Sequence, residues 1–271
     1  MSARTYSIGF IGAGNMAEAI ARGVLTAGLF PPEQMICADP SAARRELFSQ
    51  QLRIQAVEDS ALVAGRAQAL LLAVKPQKIA ESLAQIKPTL AAESLLISIV
   101  AAVSTRYIES NLPAPTRVVR VMPNTPVLVG AGASGLCKGA RATDNDLAFA
   151  RRIFGACGLA LEVPENLMNA VTSLSGSGPA YVFFLAEALS AAGVKMGLDQ
   201  PTADSLARQT IIGAGQLLAQ SPDSAAQRRR QVTSPGGFTE AAIHSLESQR
   251  FFEVIAAALA AAEERGRQLS R

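Results

Sequence analysis

Ile8-Gly9-Phe10-Ile11-Gly12-Ala13-Gly14-Asn15-Met16-Ala17 is the stretch from which the fold is read. The apolar run Tyr6 to Ile11 has the length and composition of a buried strand, and a helical period starts at Met16, so both later glycines fall in a strand-to-helix turn. Gly12 allows a tight turn, and Gly14 lets backbone N–H groups approach a pyrophosphate lying on the positive end of the helix dipole. Ala17 takes the third small position, where helix meets strand. A second strand, Met35 to Ala38, then runs into Asp39, about 20 residues further on, the spacing at which an acidic side chain meets a ribose. That carboxylate suits the hydroxyls of NAD, whereas Ser41, Arg44 and Arg45 just beyond it offer groups to the extra phosphate of NADP, so the preference stays open.

Outward from the turn, strand-like runs continue at Ala69 to Val74, Leu95 to Val100, Arg117 to Val121, Ala133 to Cys137 and Leu159 to Val163. Helical segments separate them at Met16 to Ala27, Ser41 to Gln50, Gln77 to Ile86 and Asp144 to Ala156, and this alternation predicts a parallel α/β sheet. After Pro164 the strands stop, and helices are expected over Leu167 to Ser173, Pro179 to Met196, Pro201 to Gln220, Asp223 to Gln231, Thr239 to Ser248 and Phe251 to Arg267. Pro179 and Pro201 are placed at first helical positions and Thr239 at an N-cap. The expected architecture is an α/β N-terminal Rossmann-type dinucleotide-binding domain, residues 1–164, followed by an all-α dimerisation and substrate domain, residues 165–271.

Composition narrows the function classes. The 271 residues are 49% hydrophobic and 17% charged, which is a globular chain. Twenty-five Lys and Arg against 22 Asp and Glu give +3 with no basic tract beyond Arg228-Arg229-Arg230, so no nucleic-acid partner is expected. Three scattered cysteines, Cys37, Cys137 and Cys157, and one histidine, His244, support neither a disulfide framework nor a metal site. The apolar run Leu95 to Val103, broken only by Ser98, falls short of the ~18 residues of a membrane span, so the expectation is a cytoplasmic protein without a membrane partner. The helices of the second half are apolar on more than one face: Pro179 to Met196 carries only Glu187 and Lys195, and Phe251 to Ala262 only Glu253. A unit of that size has little interior in which to hide them, so a second subunit is expected to cover them.

Two further loops should face the crevice at the carboxyl ends of the sheet: Val74-Lys75-Pro76, and Met122-Pro123-Asn124-Thr125-Pro126, whose Asn124 offers a neutral hydrogen-bonding group. The cofactor-binding candidates are therefore Ile11, Gly12, Gly14, Asn15, Met16, Asp39, Ser41, Val74, Lys75, Pro76 and Asn124. In the helical half, two glycine-serine loops are expected, Leu174-Ser175-Gly176-Ser177-Gly178-Pro179 and Thr233-Ser234-Pro235-Gly236-Gly237-Phe238-Thr239, each leading into a helix. Ser175, Ser177 and Gly178 in the first, and Ser234, Gly236, Gly237 and Thr239 in the second, can present N–H groups and hydroxyls to a small carboxylate; capping by Ser177 and Thr239 is the plainer alternative.

Taken in order and spacing, these motifs resemble those of Δ1-pyrroline-5-carboxylate reductases over nearly the whole chain. The resemblance implies reduction of 1-pyrroline-5-carboxylate to L-proline by NAD(P)H, the last step of proline biosynthesis, with NADPH the expected cofactor and NADH also open. It implies a homodimer interlocked through the helical domain, in many members assembled further into a decamer. It also implies that the loop with Gly236 and Gly237 holds the substrate carboxylate and that the Thr239 hydroxyl meets the ring nitrogen, which makes Thr239 the candidate catalytic residue. Phe238 stands where the family usually has a small or polar residue.

The chemistry suits such residues. Reducing a ketone leaves an alkoxide that needs a proton donor, whereas hydride addition to a protonated cyclic imine quenches a positive charge and needs only positioning and exclusion of water. His244, five residues beyond Thr239 and off its helix face, is therefore expected to be structural or exposed. Two other readings remain at this point. A β-hydroxyacid dehydrogenase would use a helix-borne lysine, for which Lys195 is the candidate, and a non-catalytic NAD(P)-binding redox sensor would need no second anion loop.

Overall fold

The computed structural model describes residues 5–91 and 94–270. Strand β1 (Tyr6–Ile11) lies inside an eight-stranded sheet with β2 (Met35–Ala38), β3 (Gln55–Val57), β4 (Ala67–Leu72), β5 (Leu95–Ser98), β6 (Arg117–Met122), β7 (Gly132–Lys138) and β8 (Gly158–Glu162), in the order β3-β2-β1-β4-β5-β6-β7-β8. Every neighbouring pair is parallel except β6 and β7. Ile8 sits opposite Met35 on one side and Ala69 on the other, so the chain leaves β1 in one direction and returns to β4 in the other. A crevice opens beyond the carboxyl end of β1 at that reversal.

Helices α1 (Asn15–Thr26), α2 (Ala42–Gln51), α3 (Ser60–Arg66), α4 (Ile79–Ile86), α5 (Thr105–Asn111) and α6 (Asp144–Gly155) cover both faces of the sheet. Ile8, Phe10, Ile97 and Val121 pack with Ile20 and Val24 of α1 and with Ile153 and Phe154 of α6. Ile11, Ile36, Leu70 and Leu72 pack with Val63 of α3, Leu83 of α4 and Ile108 of α5. A sheet buried on both faces explains why its strands read as continuous apolar runs rather than alternating ones.

Beyond β8 the chain is helical: α7 (Met168–Val171), a π turn at Thr172–Gly176, α8 (Gly178–Lys195), α9 (Gln200–Gln220), α10 (Ala225–Gln231), α11 (Phe238–Ser248) and α12 (Phe251–Leu269). Three local expectations are corrected here. The Ser175-Gly176-Ser177 stretch is not a loop, because α7 runs through the π turn almost directly into α8. Pro179 and Pro201 are second rather than first helical residues, since Gly178 and Gln200 precede them in the helix. The N-cap of α11 is Gly237 and receives no side-chain bond, so Thr239 caps nothing.

The chain divides into two compact units, one running to Ser177 and taking in the residues from Glu263 on, the other spanning Gly178–Ala262. Residues 165–177, beyond the Pro164 boundary expected from composition, stay with the sheet because their polar groups bond to it. Glu165 accepts the N–H and hydroxyl of Thr105 at 2.7 and 2.6 Å and pairs with the buried Arg120 at 3.4 Å.

Glu165–Lys195 forms a helical run that by length and composition is long and apolar enough to cross a membrane, which no uninterrupted apolar stretch of sequence suggested. Its start is tied to the sheet by Glu165, and α9 packs along α8. In the second unit Phe183 and Phe184 are 68% and 71% exposed on the single chain, and the other residues of α8 are largely uncovered too.

Candidate active site

The glycine turn is built by backbone bonds on both sides. Gly12 donates its N–H to the Ala38 carbonyl at the end of β2, and Ala73, just past β4, donates to the Ile11 carbonyl, both at 2.8 Å. Gly12 has φ +94°, and a Cβ there would lie 2.7 Å from the Ala73 carbonyl oxygen, so only glycine fits without strain. Gly14 is the N-cap of α1 and gives it no side-chain bond, and no atom of the described residues lies within 4 Å of where its Cβ would be. The first turn of α1 thus has no side-chain cap, and the space beside Gly14 is clear of described atoms, an arrangement that suits a pyrophosphate. Ala17 is fully buried under the turn. Ile11 is buried at the end of β1, while Asn15 and Met16 begin the helix with partial or full exposure.

Asp39 does more than end a strand. Its Oδ2 accepts the Ala13 N–H at 2.7 Å and its Oδ1 accepts the Ser41 N–H at 2.9 Å, so the carboxylate fastens the glycine turn to the end of β2. The two arginines offered by the sequence as phosphate receivers are turned onto protein oxygens. Arg44 donates to the Ala13 carbonyl and to Glu18, and Arg45 donates to the carbonyls of Asp39 and Pro40 at 2.9 and 2.8 Å. Partial burial alone would raise the Glu18 carboxyl, but its bonds from Arg44 and Arg22 hold it below the usual carboxylate range. Ser41 is the N-cap of α2, and its hydroxyl makes no capping bond.

Val74, Lys75 and Pro76 form the loop beyond β4, with Val74 and Pro76 half-buried and Lys75 exposed. Pro76 and Gln77, together with Ala101, Ala102 and Val103 beyond β5 and Leu269 of α12, line a small apolar cavity of about 170 Å³. That is too small for a dinucleotide, which calls for a site of roughly 300–1,000 Å³. Asn124 is nearly buried. Its Oδ1 accepts the Ala133 N–H at 2.8 Å, and its Nδ2 donates to the Ser175 carbonyl at 3.1 Å. The Ser175 hydroxyl reaches only the Ala133 carbonyl, at 3.5 Å, and Ser177 and Gly178 are half-buried where the π turn meets α8.

The second glycine loop lies within the helical unit. Gly236, at φ +70°, gives its N–H to the Glu240 carboxylate at 2.7 Å, and Gly237 gives its own to the Ser234 carbonyl at 3.0 Å. The loop's two glycine amides are thus already engaged. What remains for an incoming anion is the uncapped first turn of α11, including the N–H groups of Phe238 and Thr239, with the exposed hydroxyls of Ser234 and Thr239 beside it. Phe238 is 99% exposed on the single chain. His244 and Lys195 are exposed, and neither has a bonding partner among the described residues.

Burial pushes the Cys37 and Cys137 thiols up to about 12 and the Cys157 thiol to about 11, so none of them is a thiolate near neutrality. Among the described residues no group of three His, Cys, Asp or Glu side chains is arranged to hold a metal ion. The sequence did not anticipate that Asp39 and Asn124 are both used inside the protein, as fasteners of the turns they adjoin. The Asn-Thr-Pro spacing carries no sign of a bond to a residue 51 positions away.

Comparison with known proteins covers the whole chain. A family model described as pyrroline-5-carboxylate reductase dimerisation matches residues 165–269, and one described as NADP oxidoreductase, coenzyme F420-dependent, matches residues 7–102. A pyrroline-5-carboxylate reductase of Methanosarcina acetivorans is 40% identical over 97% of this chain and 98% of its own length. Among solved structures, the pyrroline-5-carboxylate reductase of Coxiella burnetii superposes with a TM-score of 0.93 at 38% identity, covering 98% of this chain and 99% of that one. The pyrroline carboxylate reductase of Plasmodium falciparum, with NADP bound, gives 0.85 at 31% identity over the full length of both chains.

Proposed function

The chain belongs to the pyrroline-5-carboxylate reductase family, and from that premise we propose that it reduces 1-pyrroline-5-carboxylate to L-proline, the last step of proline biosynthesis, with NADPH as the preferred hydride donor. The observation that carries this reading is the open, uncapped N-terminus of α1 behind Gly12, which fits the phosphates of a dinucleotide, in a chain similar to these reductases from end to end. When bound, the nicotinamide supplies the hydride. The protein's part is to hold, orient and dry the reactants. The first turn of α1 would hold the phosphates, and the first turn of α11 would take the substrate carboxylate. The Thr239 hydroxyl, which bonds to no described residue, contacts the ring nitrogen. No side chain is asked for a proton, because the imine arrives protonated and leaves as an amine. Oxidation of NADPH followed by absorbance, with pyrroline-5-carboxylate as acceptor, tests the assignment directly.

Thr239 is the sharpest test of the substrate side. With Gly237 as the cap, Thr239→Ala removes no helix-capping bond and leaves the melting temperature near that of the parent. It lowers kcat/KM about tenfold or more, the scale of one hydrogen bond lost at the reacting centre, and Thr239→Ser keeps most of the activity. Parental kcat/KM in Thr239→Ala would take the residue out of the site.

Preference for NADPH is supported by the NADP-oxidoreductase match over residues 7–102 and by the unengaged Ser41 hydroxyl at the start of α2. Asp39 opposes it with a negative charge. Asp39→Ala weakens both cofactors, because the Ala13 N–H loses its acceptor, yet it shifts the NADPH-to-NADH ratio of kcat/KM upward by about fivefold or more. An unchanged ratio means that the carboxylate does not reach the ribose. The functional division follows Pro164, with residues 1–164 for the dinucleotide and 165–271 for substrate and self-association. We assign a homodimer through the helical region, which its sedimentation mass separates from a decamer. Three buried free cysteines favour a reducing compartment such as the cytoplasm.

A further inference from the structure

The π turn at Thr172–Gly176 is the irregularity that the mechanism above leaves unexplained. Such turns are rare and concentrate at functional sites. In an α-helix the Ser175 carbonyl would accept an N–H from the residue four positions on, but that residue is Pro179, which has none. The orphaned carbonyl is served from outside the helix: Asn124 Nδ2 donates to it at 3.1 Å. The other end of the same amide accepts the Ala133 N–H at 2.8 Å, so the side chain is held to the start of β7 and cannot swing away without abandoning a second, half-buried group. Around this bond the turn is closed by the Ser177 N–H to the Thr172 carbonyl at 2.8 Å. The Met122 Cε packs 2.9 Å from where a Cβ on Gly176 would stand, so a larger residue at 176 would meet the end of β6.

We propose that Asn124 is a positioning residue: by supplying the donor that Pro179 lacks, it sets the Ser175-Gly176-Ser177 turn on the loop that follows β6, and so sets the substrate-facing groups of that turn against the cofactor crevice. The assignment of the turn to the substrate rests on the function proposed above; the bond itself does not. Asn124 thereby acts through the turn rather than on the dinucleotide, since both ends of its amide are already taken by protein groups.

The test uses the full-length enzyme with Asn124→Ala and the near-isosteric Asn124→Asp. Asn124→Ala raises KM for pyrroline-5-carboxylate about tenfold or more while the NADPH dissociation constant, measured by fluorescence, stays within about threefold. Amide hydrogen exchange over residues 172–181 accelerates in the same variant. In Asn124→Asp a protonated carboxyl can donate to Ser175 and still accept from Ala133, so its KM defect shrinks as pH falls, a recovery that a purely space-filling role would not produce. The proposal is overturned if NADPH affinity falls in step with KM, which would make Asn124 a cofactor contact, or if KM and exchange both stay at parental values. A wild-type enzyme inert towards pyrroline-5-carboxylate would refute the functional reading alone, and the exchange experiment would still decide the bond.

Discussion

Gly12→Ala weakens NADPH binding by about a hundredfold, the result of two effects that add at one atom. A methyl group at φ +94° puts an L-residue in a region it avoids, at a penalty of about 1–2 kcal/mol. The same methyl would stand 2.7 Å from the Ala73 carbonyl oxygen, which is backbone held by its own neighbours and cannot step aside as a side chain would. The turn must open, and its opening carries the first amides of α1 off the pyrophosphate. Each charge-assisted bond lost there is worth about 1.5–3 kcal/mol, so even one is enough for a tenfold loss. Titration of the variant with NADPH checks this, and retained affinity would show that the phosphates do not lie on the turn. Gly14→Ala makes the comparison clean, because that Cβ meets no protein atom and would interfere only with something bound in the space it faces.

Phe184→Glu leaves the protein monomeric. The ring is 71% exposed on one chain, and covering such a side chain fully contributes about 1.5–3 kcal/mol. A carboxylate in its place would enter the interface without a partner, at a penalty of several kcal/mol. In a two-fold dimer the substitution occurs twice, so the dissociation constant rises by about a thousandfold or more. Sedimentation should give the single-chain mass with the helical circular-dichroism signal largely retained. A mass unchanged from the parent would place the interface on another face.

Much of this was legible in the residues, and what was not has physical reasons. Strands β1 and β2 were read to the residue, because a buried parallel strand is a short apolar run bounded by turn residues. Strand β3 has no sequence signal: it is three residues long, Gln55–Val57, lies at the edge of the sheet, and has no apolar run to announce it. Helices α3 and α5 have only two turns each and no clear apolar period, although Asp59 and Ser104 stand at their N-caps. The dinucleotide turn was visible because glycine there answers a local steric demand. The roles of Asp39 and Asn124 were not, because each depends on a partner brought close only by the sheet, Ala13 in one case and Ser175 in the other. The π turn stands where the sequence predicts a loop, because glycine and serine usually mark loops and the residue that disrupts the ordinary helical bond, Pro179, lies four positions beyond the carbonyl it strands.

The uncovered apolar surface of the helical unit has a thermodynamic corollary. The sheet closes its core with residues of a single chain, so its folding equilibrium is unimolecular and indifferent to dilution. The helices of Gly178–Ala262 bury few of their own apolar side chains, and in a dimer their equilibrium acquires a mass-action term. Each tenfold dilution subtracts about 1.4 kcal/mol from the assembled state. In such an assembly the concentration of the protein is part of what holds the second half of the chain folded, whereas the sheet, with the glycine turn at the end of β1, needs only its own chain.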